Sequence, residues 1–175
     1  MCASLRPLTL EEFLDWERTQ PARYEFDGIQ PIAMTGGSVA HARLVRRLVA
    51  ALGAGLPPGC EAFGGDLKVL TIGRARYPDS TVVCGPLDTA GDTVEPVLVA
   101  EVLSPSTALT DRRVKAAEYA SVASVQVYVM LDQDVARATV LRRAAGWLEE
   151  LVEGRDAVLA LPEAGIRIAL AALYA

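Results

Sequence analysis

The chain has 175 residues, of which 51% are hydrophobic, and a formal net charge of −5. This length is typical of one domain with a single core, so we expect residues 1–175 to form one domain. The acidic balance argues against a constitutive, non-specific DNA-binding protein, because such proteins are usually basic.

The sequence favours a cytoplasmic protein. No apolar run approaches the ~18 residues that a membrane-spanning helix needs, and the first residues lack the apolar stretch of a signal peptide. The three cysteines, Cys2, Cys60 and Cys84, are widely spaced and form no CxxC pair. We therefore expect reduced thiols rather than a disulfide framework or a zinc site.

The N-terminal region predicts a helix followed by a hairpin. Thr9 and Glu12 have the spacing of a capping box, which predicts a helix over residues 10–18. The following segment, "RYEFDGIQPIAM", reads as two strands around a turn at Asp27 and Gly28.

A second helix is predicted over residues 38–53. Ser38 is a suitable N-cap, and glycines and a proline follow the helix. His41, the only histidine, lies on the apolar face of this helix. It is either a wall histidine bonded to backbone or a residue near the mouth of a site. The "TGGS" segment before the helix, ending in Ser38, can contact a phosphate through backbone N–H groups, although most such caps are only caps.

The middle of the chain predicts a mixed sheet. Four segments read as strands, and the apolar "PVLVAEVL" is expected to be central. A helix over residues 107–121 separates it from "VQVYVML", so these two strands should be parallel neighbours in a βαβ unit. A last hairpin is expected around Gly146. Together these elements predict an α/β fold with a mixed sheet and flanking hairpins.

Two acidic residues interrupt the apolar strands. Asp79 is expected at the first position of its strand, and Glu101 lies near the end of another. Each could be a satisfied polar group at a strand terminus. Two carboxylates together at the ends of strands are typical of a divalent-metal site, and Mg²⁺ needs few protein ligands because it keeps several waters. Lys115 either forms an exposed ion pair with Asp111, four residues earlier, or acts beside such a metal.

The segments "RYEFDG", "RYPDSTVVCGP", "VAEVLSPST" and "DRRVKAAEYASVASVQVYVMLDQD" resemble the Uma-two family of bacterial proteins. This family is classed with restriction endonucleases and belongs to the PD-(D/E)XK nuclease superfamily. The resemblance extends from Leu10 to Tyr174 and is most specific in "EVLSPST" followed by DRxxKxxxY. It implies a restriction endonuclease-like core.

The resemblance also implies roles for individual residues. Asp79 matches the metal-binding aspartate and Glu101 the acid of the (D/E)XK element. The lysine expected two residues later is replaced by Leu103, and Lys115 on the next helix matches the lysine that takes over its role. Glu25 matches a further acid beside the site.

Two further groups are candidates for the same site. The backbone carbonyl of Val102 is a candidate metal ligand by the same resemblance. Asp66 could reach the site from a neighbouring strand, although an acid there more often simply begins a strand.

The function expected from these residues is Mg²⁺-dependent hydrolysis of phosphodiester bonds in nucleic acid, with DNA favoured and Mn²⁺ able to substitute for Mg²⁺. The alternative is an inactive nuclease-fold protein that binds nucleic acid or a protein partner. We also expect a homodimer, chiefly from the family resemblance. The apolar C-terminal segment "IALAALYA" is a further motive, because exposed apolar patches mark contacts.

Overall fold

A six-stranded mixed sheet organises the fold. The computed structural model describes residues 6–34, 36–104 and 111–175, with the backbone only at residue 111. The strands are β1 (Tyr24–Phe26), β2 (Pro31–Ala33), β3 (Cys60–Gly64), β4 (Val69–Thr71), β5 (Arg74–Arg76), β6 (Ser80–Cys84), β7 (Leu98–Leu103), β8 (Val127–Asp132), β9 (Arg137–Arg142), β10 (Glu149–Glu153), β11 (Val158–Leu161) and β12 (Ile166–Ala169). The α-helices are α1 (Leu10–Glu17), α2 (Val39–Gly55), α3 (Ala116–Ser121) and α4 (Leu170–Leu173).

The large sheet has the strand order β10-β9-β8-β7-β6-β3. β7 and β8 are parallel, and every other pair in this sheet is antiparallel. All six residues of β7 are buried. The predicted mixed α/β fold, with this strand inside the sheet and parallel to β8, is confirmed.

Helices cover both faces of the large sheet. Because side chains alternate along a strand, Leu98, Ala100 and Val102 of β7 join the core cluster that contains α2. Val99 and Leu103 join the cluster on the opposite face, which contains Tyr119 of α3. Glu101 lies between these two residues in the sequence, so its side chain belongs to the α3 face.

A smaller antiparallel sheet, in the order β2-β1-β5-β4, lies beside the large one. It includes the predicted N-terminal hairpin. The preceding helix α1 has the predicted capping box between Thr9 and Glu12. The Phe13 ring of α1 stacks on Phe26 of β1, with centroids 4.8 Å apart. This packing anchors the sheet that carries Glu25 and Arg76.

Helix α2 begins after the predicted N-cap, Ser38, and continues two residues beyond the predicted end, to Gly55. Leu44, Leu48 and Leu52 form its buried face. Among the residues that the structure describes, no helix is both long and apolar enough to cross a membrane.

The predicted helix over residues 107–121 differs in the structure. A π-helical turn covers Asp111–Lys115, and the α-helical part α3 begins at Ala116. Residues 105–110, which include the start of the predicted helix, lie outside the described residues. A π-helical turn has i→i+5 bonding, is rare, and occurs often at functional sites.

The last third of the chain contains one predicted and one unpredicted hairpin. β9 and β10 pair around Gly146, which has a φ of 65°, as a left-handed turn position requires. β11 and β12 form a two-stranded sheet that the sequence analysis did not identify. The short strands β3 and β5 were missed as well, because three to five residues give too little alternation to recognise.

The expectation that all cysteines are reduced is wrong for two of them. Cys60 and Cys84 form a disulfide with their Cα atoms 4.0 Å apart. They are directly opposite each other in the antiparallel pair β3 and β6. Their separation of 24 residues gave no sign of this pairing, because strand register brings them together. Cys2 lies outside the described residues.

The C-terminal segment is part of the core. Ile168, Leu170 and Leu173 are each at most 4% exposed and pack in the cluster that contains α2. The large aliphatic residues of "IALAALYA" therefore fill the interior and give no support to a dimer surface. The homodimer stays a prediction that depends on the family resemblance.

We expect Leu173→Ala to lower the free energy of unfolding by about 2–5 kcal/mol, because it opens a cavity under α2. The matched control is Ala172→Ser, at an exposed neighbouring position, which should change it by less than about 0.5 kcal/mol. Urea unfolding followed by circular dichroism measures both. An equally small effect of both variants would contradict the placement of Leu173 in the core.

Candidate active site

Two carboxylates meet where β6 begins and β7 ends. Asp79 directly precedes β6, rather than occupying its first position as expected, and Glu101 is the fourth residue of β7. Ser80 pairs with Ala100 in antiparallel strands. Asp79, which precedes Ser80, therefore lies close to Glu101, which follows Ala100. The Asp79 amide donates to the Glu101 Oε2 atom at 3.4 Å. The Asp79 side chain is 23% exposed and the Glu101 side chain 5%, so Asp79 lies at the mouth and Glu101 beneath it.

Asp79 is held by one backbone and one side-chain contact. Its Oδ2 atom accepts a hydrogen bond of 2.7 Å from the Val102 amide. Its Oδ1 atom lies 3.0 Å from Nε2 of His41, in the first turn of α2. His41 is thus a contact of the site carboxylate, which corresponds to the second of the two placements considered for it.

Two hydrogen-bond donors from the following helical segment contact the Glu101 carboxylate on its buried side. Its Oε1 atom accepts hydrogen bonds from Lys115 Nζ and Tyr119 Oη, each at 2.9 Å. Burial, and secondly the charge of Glu101, raise the pKa of the Tyr119 hydroxyl. Tyr119 therefore stays protonated and acts as a hydrogen-bond donor to the carboxylate.

Lys115 lies between two carboxylates. Its Nζ atom is also 3.3 Å from Oε1 of Glu25, and the residue is only 8% exposed. The structure thus directs this lysine into the site, next to Glu101 and Glu25. The side chain of Asp111, the alternative partner, lies outside the described residues.

Arg76 connects Glu25 to α3. Its Nη1 atom donates to Glu25 at 3.0 Å, and its Nε and Nη2 atoms donate to the two carboxylate oxygens of Glu118 at 2.7 and 2.9 Å. Arg74 donates to Glu118 as well. Burial by itself would raise the pKa of Glu118, but the hydrogen bonds and charges of Arg76 and Arg74 lower it below its usual range.

The remaining candidates from the sequence have different surroundings. Ser38 caps α2, accepting from the His41 amide at 3.1 Å and donating to Gln133 at 3.0 Å. Ser38 is therefore hydrogen-bonded to the backbone of His41, the residue whose side chain contacts Asp79. The Asp66 side chain is 74% exposed and forms an ion pair with Arg23 at 2.6 Å.

Three residues of this network were missed by the sequence analysis. Tyr119 follows Lys115 by four residues, and this helical spacing was a usable signal. Arg76 and Glu118 come from different elements, and their contact depends on how the two sheets and α3 pack. No local spacing could have paired them.

The donor set suits a hard divalent cation. Asp79 and Glu101 supply two carboxylates, and Val102 supplies a main-chain oxygen at the same strand end. Oxygen ligands of this kind fit Mg²⁺, which keeps several waters and is bound through one or two carboxylates. Within residues 6–34, 36–104 and 111–175, no group of three or more His, Cys, Asp or Glu side chains is arranged to hold a metal.

Comparisons with known proteins identify one family and one fold. The Uma2 family model, described as "Putative restriction endonuclease", matches residues 10–171. The uncharacterized protein slr1290 of Synechocystis sp. is 37% identical over 129 residues, which are 71% of this chain and 68% of that protein. A crystal structure from Anabaena variabilis, described as "a putative nuclease belonging to DUF820", superposes with a TM-score of 0.80. It covers 96% of this chain and 98% of the other, at 20% identity, and so shows the shared fold.

The lowered pKa of Glu118 makes its contribution to stability depend on pH. A carboxylate with a lowered pKa in the folded state stabilises the protein above its unfolded pKa, about 4.3, and loses that contribution as the pH falls through the folded pKa. We expect Glu118→Gln to lower the free energy of unfolding by about 3 kcal/mol at pH 7. The deficit should shrink as the pH falls below about 4.3.

Urea unfolding between pH 7 and pH 3 measures this difference. The control is Glu149→Gln, at an exposed position of β10, which should stay within about 0.5 kcal/mol of wild type throughout. A deficit of Glu118→Gln that is the same at pH 7 and pH 3 would contradict the assigned ion pairs.

Proposed function

The chain belongs to the Uma2 family, and from this membership we propose that it is an endonuclease that hydrolyses phosphodiester bonds of nucleic acid. We propose DNA as the substrate and Mg²⁺ as the cofactor, with Mn²⁺ able to replace it. The observation that carries the proposal is that Asp79, through its amide, and Lys115, through its ammonium group, both contact the carboxylate of Glu101.

Asp79, Glu101 and the Val102 carbonyl would hold the metal. In an antiparallel pair the N–H and C=O groups of one residue point towards the same neighbour. The Val102 amide binds Asp79, so its carbonyl belongs to the same edge of β7. When bound, Mg²⁺ polarises the phosphoryl oxygen and lowers the pKa of a coordinated water.

Lys115 would position the attacking water and stabilise the negative charge that develops on the phosphate. A lysine ammonium is a compact positive charge with three donors. Here it lies 2.9 Å from Glu101 and 3.3 Å from Glu25, which places the charge beside the proposed metal ligand Glu101. Preorganised cations of this kind act without reorganisation during the reaction.

Glu25 and His41 would serve as positioning residues. Glu25 contacts Lys115 and Arg76, which supports a role in holding Lys115 rather than in the metal shell. His41, 3.0 Å from Asp79, would fix the orientation of that carboxylate at the mouth of the site.

The second candidate is a nuclease-fold protein without activity that binds nucleic acid or a protein. The net charge of −5 favours this candidate in its protein-binding form, because general attraction of the nucleic-acid backbone is weak for an acidic protein. We also keep the cytoplasm as the proposed location, although a disulfide such as Cys60–Cys84 is uncommon there.

We expect Lys115→Ala to lower the single-turnover rate of DNA cleavage with Mg²⁺ by about a hundredfold or more, the scale of losing one transition-state charge stabiliser. Its Mg²⁺ affinity should hold or rise slightly, because a nearby positive charge is removed. Asp79→Ala should instead weaken Mg²⁺ binding itself. Gel-based cleavage and isothermal titration calorimetry measure these effects.

The matched control is Lys68→Ala. Lys68 is the other lysine of the chain, is 3% exposed and pairs with Glu17 and Asp92. It should therefore lose comparable stability but keep the cleavage rate at a temperature where it is folded. Equal rates for Lys115→Ala and wild type would remove Lys115 from the mechanism. Absence of cleavage with any DNA or RNA substrate in Mg²⁺ or Mn²⁺ would favour the binding function.

The homodimer is tested by light scattering at micromolar concentration. We expect twice the mass of the chain, and a monomeric mass would contradict the prediction. Leu173→Ala should leave this mass unchanged, because the C-terminal apolar residues face the core.

A further inference from the structure

A polar cleft of about 340 Å³ lies along the first half of α2. Its walls come from the first half of α2, the turn after β8 and the C-terminal residues. The polar side chains in its lining are Arg43, Arg47, Gln133, Asp134, Arg155 and Tyr174. Its volume is in the range of sites that hold small ligands.

Among the described residues that line this cleft, three carry a guanidinium group and one, Asp134, carries a carboxylate. Arg47 donates one hydrogen bond, to the Leu173 carbonyl at 3.1 Å, and Arg155 donates to the Tyr174 carbonyl. Each guanidinium has five N–H donors, so most of theirs stay available. Among the residues that the structure describes, Arg43 has no hydrogen bond or ion pair. Asp134 accepts a hydrogen bond from Gln133 at 3.3 Å.

This excess of positive charge is unusual for a protein of net charge −5. Most other arginines of the described chain have carboxylate partners, as Arg74, Arg76 and Arg142 show. The arginines of the cleft have main-chain carbonyl partners or none. A carbonyl leaves the charge of a guanidinium uncompensated, so the cleft attracts anions.

Hydrogen bonds connect the cleft to the candidate active site. Gln133 of the cleft accepts from Ser38 Oγ, Ser38 accepts from the His41 amide, and His41 contacts Asp79. The cleft therefore adjoins the N-terminal turn of α2, which also carries His41, the residue that contacts the site carboxylate Asp79.

We propose that the cleft binds a phosphate group of the substrate strand, at a position other than the phosphate that is cleaved. This inference rests on the proposed nuclease function. The guanidinium fork matches the oxygens of a phosphate, and each strand of nucleic acid carries such groups at regular intervals. Arg43 is the central residue, since it has no competing contact in the described chain.

The test compares the affinity of a fluorescein-labelled 20-base-pair DNA duplex for wild type and Arg43→Ala by fluorescence anisotropy. Ca²⁺ replaces Mg²⁺, because it also takes oxygen ligands. We expect Arg43→Ala to weaken binding about fivefold to tenfold. The slope of log K against log salt concentration should fall by about 0.9, as for one lost phosphate contact.

Two further variants control for charge alone. Arg167→Ala removes the same charge from an exposed position of β12 and should change the affinity by less than about twofold. Asp134→Asn removes the single carboxylate of the cleft and should tighten binding about twofold to fivefold. Equal weakening by Arg43→Ala and Arg167→Ala would overturn the proposal.

A free phosphate-containing anion is the other ligand whose chemistry fits the cleft. Inorganic phosphate and a 5′-mononucleotide are titrated into wild type and Arg43→Ala by calorimetry. Arg43-dependent binding of these anions together with an unchanged duplex affinity would overturn the assignment to the strand. A larger effect of Arg43→Ala on the affinity for the duplex than on the affinity for these anions supports it.

Cleavage assays keep this inference separate from the proposed function. If the wild type binds the duplex through Arg43 but cleaves no substrate, the proposed hydrolytic function is overturned and the cleft assignment stands. If the wild type cleaves DNA while Arg43→Ala binds it as tightly as wild type does, the cleft assignment fails and hydrolysis stands. If the wild type does not bind the duplex, the cleft assignment is overturned.

Discussion

The burial of the Glu101 carboxylate in a central strand is the constraint on which the surrounding structure depends. An ionised carboxylate away from water is very unfavourable unless it is paired and hydrogen-bonded. Glu101 is 4% exposed, and Lys115 and Tyr119 both donate to it. Because these two residues are one helical turn apart, their contacts determine where the start of α3 packs on the sheet.

Outwards from Glu101, basic and acidic side chains alternate in a series of ion pairs. Lys115 contacts Glu25, Glu25 contacts Arg76, and Arg76 contacts Glu118, which returns to α3. Together with the contact between Lys115 and Glu101, these ion pairs connect the two sheets and α3. Buried ion pairs are often no more stabilising than apolar side chains of similar volume. The network is therefore explained better by the fixed positions that it gives to Glu101 and Lys115 than by stability alone.

Charges that cluster along the sequence do not form the same clusters on the surface. Arg74, Arg76 and Lys115 lie in basic stretches of the chain, yet each is neutralised by a carboxylate in the fold. Arg43 and Arg47 on α2 keep their charge, and Arg155 joins them from a distant part of the chain. Packing thus brings together these arginines that lack carboxylate partners among the described residues.

The sequence by itself determined the fold class, the central strand, the capped helices α1 and α2, and the candidates Asp79, Glu101 and Lys115. The elements follow from local periodicity and capping residues, and the roles expected for Asp79, Glu101 and Lys115 follow from the resemblance of their motifs to a known family. The disulfide, the buried C-terminal segment, the inward direction of Lys115, and the contacts of Arg76 and His41 were decided by tertiary structure alone. Each depends on strand register or on the packing of elements far apart in the chain, and no local pattern encodes which distant side chain will compensate a buried charge.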